Sequence, residues 1–147
     1  RHKSSEKDYL ATVDVDPSSA SFCQVLHRTE LAVGVEAHHS GWNACSSCFG
    51  RSDVARSHLV LPCLESSQLF FVDTASAPRA PKLASVLPTE DMKAAGVTFP
   101  HTAHCLADGN IMVSTLGAAK GEAKGSFLLI DAKTFKVSVF ILFHCCC

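Results

Sequence analysis

The residues best suited to chemistry are gathered in two short stretches of the chain, residues 38–50 and residues 101–105. Both stretches combine histidine with cysteine, and the first also carries the only tryptophan. Imidazole and thiolate groups are the donors that metal binding and redox sulfur chemistry require. Because about sixty positions separate the stretches, the fold must bring them together. The candidate residues are His38, His39, Cys45, Cys48, His101 and His104.

A repeated pattern indicates how the chain positions these stretches. Asp14, Asp73 and Asp131 each end an apolar, strand-like run and precede a turn and a second strand. They lie 59 and 58 positions apart, and a nearly constant period of this size is typical of repeat architectures. The predicted strands cover residues 9–15, 22–27, 58–62, 68–73, 82–87, 110–114, 126–131 and 135–139.

Each repeat is predicted to contain four short antiparallel strands, which is the pattern of a β-propeller blade. A histidine stretch lies at the start of the first strand of each predicted blade. The chain is therefore predicted to be all-β, with about two propeller blades. One short helix is predicted near residues 89–95, with Thr89 as its N-cap and Gly96 as its stop. The alternative is a single β-sandwich of about eight or nine strands, in which the repeat is a coincidence.

The propeller prediction gives the histidines a common position. The first strand of each blade lines the central channel, so histidines that enter this strand in successive blades should converge. His38 or His39 would then form a metal site with His101 and His104, and imidazole ligands suit copper or zinc. The other interpretation is that these histidines are polar caps of strand ends. On a regular strand His101 and His104 would point to opposite faces, unless a bulge intervenes.

The cysteines leave several roles open. Cys45-x-x-Cys48 has the spacing of a redox pair or of half a zinc site, but the chain has no second Cys-x-x-Cys and no helix is predicted after the first. A loop with two reduced thiols is the favoured interpretation. Cys23 is predicted on a strand among alternating apolar residues, where cysteine is most often a small core residue. Eight cysteines could suggest a secreted disulfide framework, but the chain is longer than most small disulfide-rich domains and three of its cysteines form the terminal string Cys145-Cys146-Cys147. A reducing compartment is therefore predicted.

Composition excludes some classes of partner. The net charge is −1 and the basic residues are scattered singly, which argues against a nucleic-acid partner. The longest apolar run, residues 139–143, is too short to cross a bilayer, so no transmembrane segment is predicted. The chain does not begin with methionine, and we expect its N-terminus to be incomplete.

Four segments occur in the order DYLATVDVDP (8–17), HHSGWNACSSCFG (38–50), PRAPKL (78–83) and HTAHCL (101–106). Together they resemble the selenium-binding protein family, whose animal members are methanethiol oxidases. The resemblance implies a seven-bladed propeller enzyme that depends on copper. Such an enzyme oxidises methanethiol with O2 and water to formaldehyde, hydrogen sulfide and hydrogen peroxide.

The resemblance also implies site residues. The cysteine that the family associates with selenium corresponds to Cys23. Copper and selenium are therefore the expected cofactors, and Cys45 and Cys48 stay candidates for redox thiols. The histidine motifs of the family fall on His38, His39, His101 and His104.

The resemblance covers residues 8–137, which we expect to form a partial propeller. Residues 1–7 and the hydrophobic, cysteine-rich residues 138–147 are interpreted as divergent segments. Family members are longer and carry further histidine motifs. We therefore expect this chain to be inactive alone.

The family is mainly cytosolic, with nuclear and peripheral-membrane pools. The resemblance thus implies a cytoplasmic protein that also occurs in the nucleus and at membrane surfaces, with a small thiol and O2 as partners. One alternative is a selenium-binding interaction protein that takes part in intra-Golgi transport and turns over no substrate. Another is a chain with no function of its own.

Overall fold

The computed structural model describes residues 5–50 and 52–141, and side chains 48, 49, 140 and 141 lie outside that description. The divergent segment 138–147 therefore lies partly outside that description, including its terminal cysteines. The first strands are β1 (Lys7–Val13), β2 (Val25–Val33), β3 (Gly41–Trp42), β4 (His58–Cys63), β5 (Gln68–Asp73) and β6 (Lys82–Leu87). They are followed by β7 (Val97–Cys105), β8 (Asn110–Ala118), β9 (Ser126–Asp131) and β10 (Val137–Ile141). The helices are α1 (Ser46–Phe49) and α2 (Thr89–Ala94).

Within the described residues, the strands form three antiparallel sheets in which consecutive strands are neighbours. Strands β1 and β2 form a two-stranded ribbon. Strands β3–β6 form one four-stranded sheet, here named blade one, and β7–β10 form another, blade two. A four-stranded meander repeated along the chain is the unit of a β-propeller. The predicted all-β fold with about two blades is confirmed, as are the bounds of β5, β6 and β9.

The aspartate that marks each repeat closes the turn after its strand. Asp73 Oδ1 accepts hydrogen bonds from the backbone N–H groups two and three residues further on, at 2.9 and 3.0 Å. Asp131 Oδ1 does the same at 3.0 and 2.7 Å. Asp14 Oδ1 accepts one from the N–H group two residues further on, at 3.0 Å. The period in the sequence therefore reflects one turn structure, in which a short carboxylate satisfies backbone donors.

Strands β4 and β5 of blade one are buried on both faces, which explains their continuous apolar runs. One face packs on blade two and the other on the segment that contains β2. The residues that face blade two include Val60, Leu69 and Phe71. Those on the other face include Leu61, Phe70 and Val72. Phe135, which precedes β10, stacks on Phe71 with ring centroids 4.4 Å apart.

The prediction of a strand over residues 22–27 is wrong at its start, because β2 begins only at Val25. Cys23 lies in a turn, is exposed and has the left-handed φ of 62°. Its N–H donates to the carbonyl oxygen of Asp14 at 2.8 Å. The apolar alternation suggested a strand, but these local hydrogen bonds determine the backbone. Cys23 is therefore not the core residue that its neighbours suggested.

The predicted helix is present as α2, but its cap is not the predicted one. Pro88 is the N-cap, and the Thr89 hydroxyl instead donates to the carbonyl of Ser66 at 2.7 Å. Gly96, with φ of 84°, follows the helix end as predicted. α1 is a second helix, one turn long, at the Cys-x-x-Cys that was predicted to be a loop. Neither of the described helices is long enough to span a membrane.

Candidate metal centre

Three histidines from the two sequence stretches lie together in the structure. The ligand atoms of His38, His39 and His101 are all within 4.8 Å of one another. The ring centroid of His38 is 4.7 Å from that of His39 and 4.8 Å from that of His101, and the centroids of His39 and His101 are 4.4 Å apart. The cluster therefore joins the segment that enters blade one to the first strand of blade two.

Close backbone packing brings the two segments together. Gly41 faces Ala103 so closely that a Cβ on Gly41 would clash with the Ala103 carbonyl group. Two residues before this contact, His39 lies beside His101. Two residues after Ala103, the Cys105 sulfur lies 3.3 Å from that of Cys45. We name this line of contacts, His39–His101, Gly41–Ala103 and Cys45–Cys105, the interblade seam.

The strand that carries His101 is distorted just before and after that residue. Phe99 has the left-handed φ of 54°, and its N–H donates to Ser67 Oγ at 2.9 Å. The pairing of β7 with β8 then shifts between Pro100 and Ala103, where β7 gains one residue relative to its neighbour. Such a bulge re-aims a side chain. The distortion accounts for the position of His101 beside the other two histidines.

His104 is not part of the cluster. Regular alternation resumes after the bulge, so Ala103 and Cys105 are buried whereas His104 is exposed. A bulge between them would have allowed both histidines of the His-x-x-His to reach one site. The bulge is present, but it ends at Ala103. Of the four predicted ligands, the structure brings together three.

The surroundings of His101 favour its neutral form. Burial, followed by the nearby His39 and His38, lowers the pKa of His101 from its ordinary value of 6.5. A metal ligand must be deprotonated, so this shift keeps a lone pair available near neutral pH. His101 Nδ1 lies 3.0 Å from Thr102 Oγ1. That hydrogen bond leaves Nε2 as the ring nitrogen available to a metal.

The other two histidines lie at an exposed edge of blade one. The backbone N–H of His38 donates to the Pro62 carbonyl at 3.2 Å, which fixes the segment against β4. Glu36 Oε1 lies 3.7 Å from His38 Nδ1. An open hollow of about 380 Å³ adjoins both rings, and apolar side chains from the ribbon and β4 line part of it. These are Leu10, Leu31 and Leu61.

The cysteines lie in different environments. Cys23 is exposed, Cys45 is half-buried, and Cys63 and Cys105 are buried. The Cys48 side chain lies outside the described residues. Burial, with a smaller contribution from Asp8, raises the pKa of the Cys63 thiol to about 12. Sequence reasoning gave Cys105 no role, although its spacing of 60 from Cys45 nearly repeats the period of the blades.

The chain matches the family described as 56 kDa selenium binding protein over residues 1–140. It is 54% identical over 132 residues to a protein of Homo sapiens named methanethiol oxidase. It is 56% identical over 128 residues to selenium-binding protein 1 of Arabidopsis thaliana. These alignments cover 88% and 85% of this chain, but 28% and 26% of the two relatives.

A solved structure shows the same fold. The chain superposes with a TM-score of 0.80 and 37% identity on the X-ray structure of a hypothetical selenium-binding protein from Sulfolobus tokodaii. The superposition covers 88% of this chain and 30% of that one. Fold and site thus define a partial β-propeller with a histidine cluster between two blades. The chain belongs to the selenium-binding protein family, and it spans less than a third of the length of these relatives.

Proposed function

We propose that this chain supplies part of a copper-dependent oxidase that acts on a small thiol, with methanethiol as the substrate. The observation that carries the proposal is the cluster of His38, His39 and His101, whose ligand atoms lie within 4.8 Å of one another. The name of the human relative, methanethiol oxidase, supports the reaction. Methanethiol, O2 and water would give formaldehyde, hydrogen sulfide and hydrogen peroxide.

The three imidazoles fit a copper ion. Imidazole nitrogens are borderline donors that suit copper and zinc. Metal–nitrogen bonds of about 2.0–2.1 Å place three nitrogens around one ion about 3.5 Å apart. The ligand atoms lie within 4.8 Å of one another, so they need to approach by about 1 Å to share an ion. His38 and His39 are exposed, which leaves their rings room for that movement. Bound copper would supply a site for the substrate sulfur and a path for electrons to O2.

The remaining residues would orient the ligands and the substrate. Thr102 fixes the ring of His101 through Nδ1, and Glu36 lies within reach of His38 Nδ1. The hollow beside the histidines, lined in part by Leu10, Leu31 and Leu61, would accept the methyl group of methanethiol. The thiol proton could pass to an imidazole or to solvent at the exposed side of the cluster.

Copper binding by this chain tests the site. The purified chain is dialysed against limiting copper, and retained metal is measured by mass spectrometry. We expect His39→Ala and His101→Ala to lose most of the retained copper. His104→Ala is the matched control, because His104 lies on β7 outside the cluster. Equal retention by all four proteins would contradict the proposed site.

The reaction is tested in a protein of full length. The matched 132 residues of the human relative are exchanged for those of this chain, and peroxide release is followed after methanethiol addition. We expect the chimera to produce peroxide, and the same chimera with His101→Ala to produce none. An active chimera that keeps its rate without His101 would refute the assignment.

Selenium binding at Cys23 is a second candidate function, and it is supported by the exposure of this thiol in its turn. The names of the family and of the Arabidopsis relative refer to selenium binding. After incubation with selenite and glutathione, we expect Cys23→Ser to lose protein-bound selenium and Cys63→Ser to retain it. Loss of selenium by Cys23→Ser while copper retention persists would separate the two functions.

A further inference from the structure

Cys45 and Cys105 are 60 positions apart in the chain, yet their sulfur atoms lie 3.3 Å apart. Neither thiol is in a disulfide. Cys45 follows the first strand of blade one, whereas Cys105 is the last residue of the first strand of blade two. The contact therefore crosses from one blade to the next at the end of the interblade seam.

Both sulfur atoms are held by the surrounding backbone. Asn43 anchors the segment before Cys45, since its Oδ1 accepts hydrogen bonds from the N–H groups of Ser57 and His58 at 3.1 and 2.9 Å. Its Nδ2 donates to Ser57 Oγ at 3.0 Å. Cys105 is fixed by the pairing of β7 with β8, opposite Ile111. The short sulfur–sulfur distance therefore follows from the hydrogen bonds of Asn43 on one side and the pairing of β7 with β8 on the other.

The two thiols differ in their access to solvent. Cys45 is half-buried, with its sulfur 3.3 Å from Ser47 Oγ, whereas Cys105 has 4% of its surface exposed. A disulfide needs a sulfur–sulfur bond of about 2.05 Å, so the two atoms would have to approach by about 1 Å. This arrangement, one accessible thiol in contact with one buried thiol, matches an attacking and a resolving cysteine.

We propose that Cys45 and Cys105 form a reversible redox pair whose oxidant is a hydroperoxide. The Cys45 thiolate attacks the terminal peroxide oxygen, the O–O bond breaks, and the alcohol leaves with a proton from solvent. Cys45 then carries a sulfenic acid. The Cys105 sulfur attacks the Cys45 sulfur, and the sulfenic hydroxyl leaves as water with the Cys105 proton. In total, two thiols lose two electrons and two protons, and ROOH becomes ROH and water.

The disulfide would tie blade one to blade two beside the histidine cluster. His101 precedes Cys105 by four residues on β7, and His39 precedes Cys45 by six. Oxidation would thus fix the distance between the two segments that supply the imidazoles. The redox pair does not depend on the proposed oxidase function, because the peroxide that oxidises it is added in the experiment below.

Peptide mapping tests the pair directly. The chain is treated with a few equivalents of hydrogen peroxide, remaining thiols are alkylated, and the protein is digested with trypsin. Cleavage after lysine and arginine places Cys45 and Cys48 in peptide 29–51, Cys105 in peptide 94–120 and Cys63 in peptide 57–79. We expect a link between peptides 29–51 and 94–120 that dithiothreitol reverses.

Two other outcomes of the mapping would overturn the proposal. In one, the oxidised chain contains a Cys45–Cys48 bond within peptide 29–51. In the other, peptides 29–51 and 94–120 stay unlinked. The link should persist in Cys48→Ser and in Cys63→Ser, and its loss in Cys48→Ser would show that the wrong cysteine had been assigned.

Labelling of the sulfenic acid tests separately whether Cys45 is oxidised first and Cys105 attacks it second. A sulfenic acid without a resolving partner persists long enough to react with dimedone. Cys105→Ser should therefore show dimedone labelling at residue 45, whereas Cys45→Ser should show none at residue 105. Labelling at residue 105 in Cys45→Ser would overturn the assigned roles.

Discussion

Gly41 of blade one and Ala103 of blade two are in backbone contact, and no side chain fits between them. A Cβ on Gly41 would overlap the carbonyl oxygen and carbon of Ala103 and would lie 3.1 Å from its Cβ. The contact is central in the interblade seam. The positions of His39 and His101 on one side, and of Cys45 and Cys105 on the other, depend on it.

The first prediction concerns Gly41→Ala. The added methyl group meets backbone, which cannot rotate away, so the two blades must separate locally. Overpacking of this kind typically costs about 1–3 kcal/mol. We expect a lower melting temperature and weaker copper retention, measured by calorimetry and by metal analysis of the same samples.

Gly125→Ala is the matched control for this substitution. A Cβ there would come no closer than 3.6 Å to the Thr115 carbonyl oxygen, which is ordinary van der Waals contact. This variant should retain copper like the unsubstituted chain. If Gly41→Ala also retains copper at full stability, the close approach of the blades does not position the histidines.

The second prediction concerns the residue that orients His101. Thr102 Oγ1 lies 3.0 Å from His101 Nδ1. Removing a hydrogen-bond partner of a metal ligand typically lowers the metal affinity roughly 10–100-fold. Thr102→Val keeps the branched shape and removes the hydroxyl group. We expect copper affinity to fall about tenfold or more, measured by competition with a chromogenic chelator.

Thr102→Ser is the control for this prediction, because it restores the hydroxyl group. Its copper affinity should lie near that of the unsubstituted chain. If the valine and serine variants bind copper equally, the hydroxyl group has no part in orienting the ring.

The strand pattern and the blade repeat were predictable because they depend on local features. Gln68–Asp73 is an apolar run that ends in an aspartate, and the same signal recurs at Ser126–Asp131. The period between these signals placed the two histidine stretches at equivalent points of successive blades. The meeting of His39 with His101 follows from that equivalence.

The errors arose where tertiary contacts override a local pattern. The residues around Cys23 alternate as they do in a strand, but the hydrogen bond from the Cys23 N–H to the Asp14 carbonyl oxygen holds it in a left-handed turn. Thr89 is a good N-cap residue, but its hydroxyl group instead donates a hydrogen bond to the Ser66 carbonyl oxygen.

The direction of the His104 side chain depends on where the bulge in β7 ends, which a single sequence does not specify. The contact of Cys105 with Cys45 could not be predicted, because it depends on the distance between the two blades.

The third prediction is an acid-dependent loss of stability through Asp14. Its carboxylate is buried, and hydrogen bonds from the hydroxyl groups of Ser21 and Ser19 and the N–H of Asp16, together with Arg79, hold its pKa well below the ordinary value of 3.8. A depressed pKa stabilises the folded chain above the unfolded-state pKa, and this contribution is lost as the pH falls below it.

Asp14→Asn removes this contribution. The difference in free energy of unfolding between the two proteins should be fully present at about pH 7 and should shrink below about pH 4. Urea unfolding at several pH values measures it. Glu122→Gln, which changes a carboxylate in an exposed loop, is the comparison variant. A difference for Asp14→Asn that stays constant down to about pH 3 would contradict the role of its charge.

The fourth prediction contrasts two thiols. Cys23 is exposed, whereas Cys63 is buried and its pKa is raised to about 12. Relative to its ordinary value of 9.0, Cys63 therefore carries about a thousandfold less thiolate. Under native conditions iodoacetamide should modify Cys23 and spare Cys63, as read by mass spectrometry. Modification of both at similar rates without denaturant would show that blade one opens.

The division of the histidine cluster between two blades has a consequence for assembly. His38 and His39 precede β3, whereas His101 belongs to β7, so neither blade contains the ligand set by itself. A metal ion that needs all three imidazoles can bind only after the blades have docked, and it then stabilises the docked state by mass action. Retention of the ion would therefore report that two separately formed sheets have packed against each other correctly.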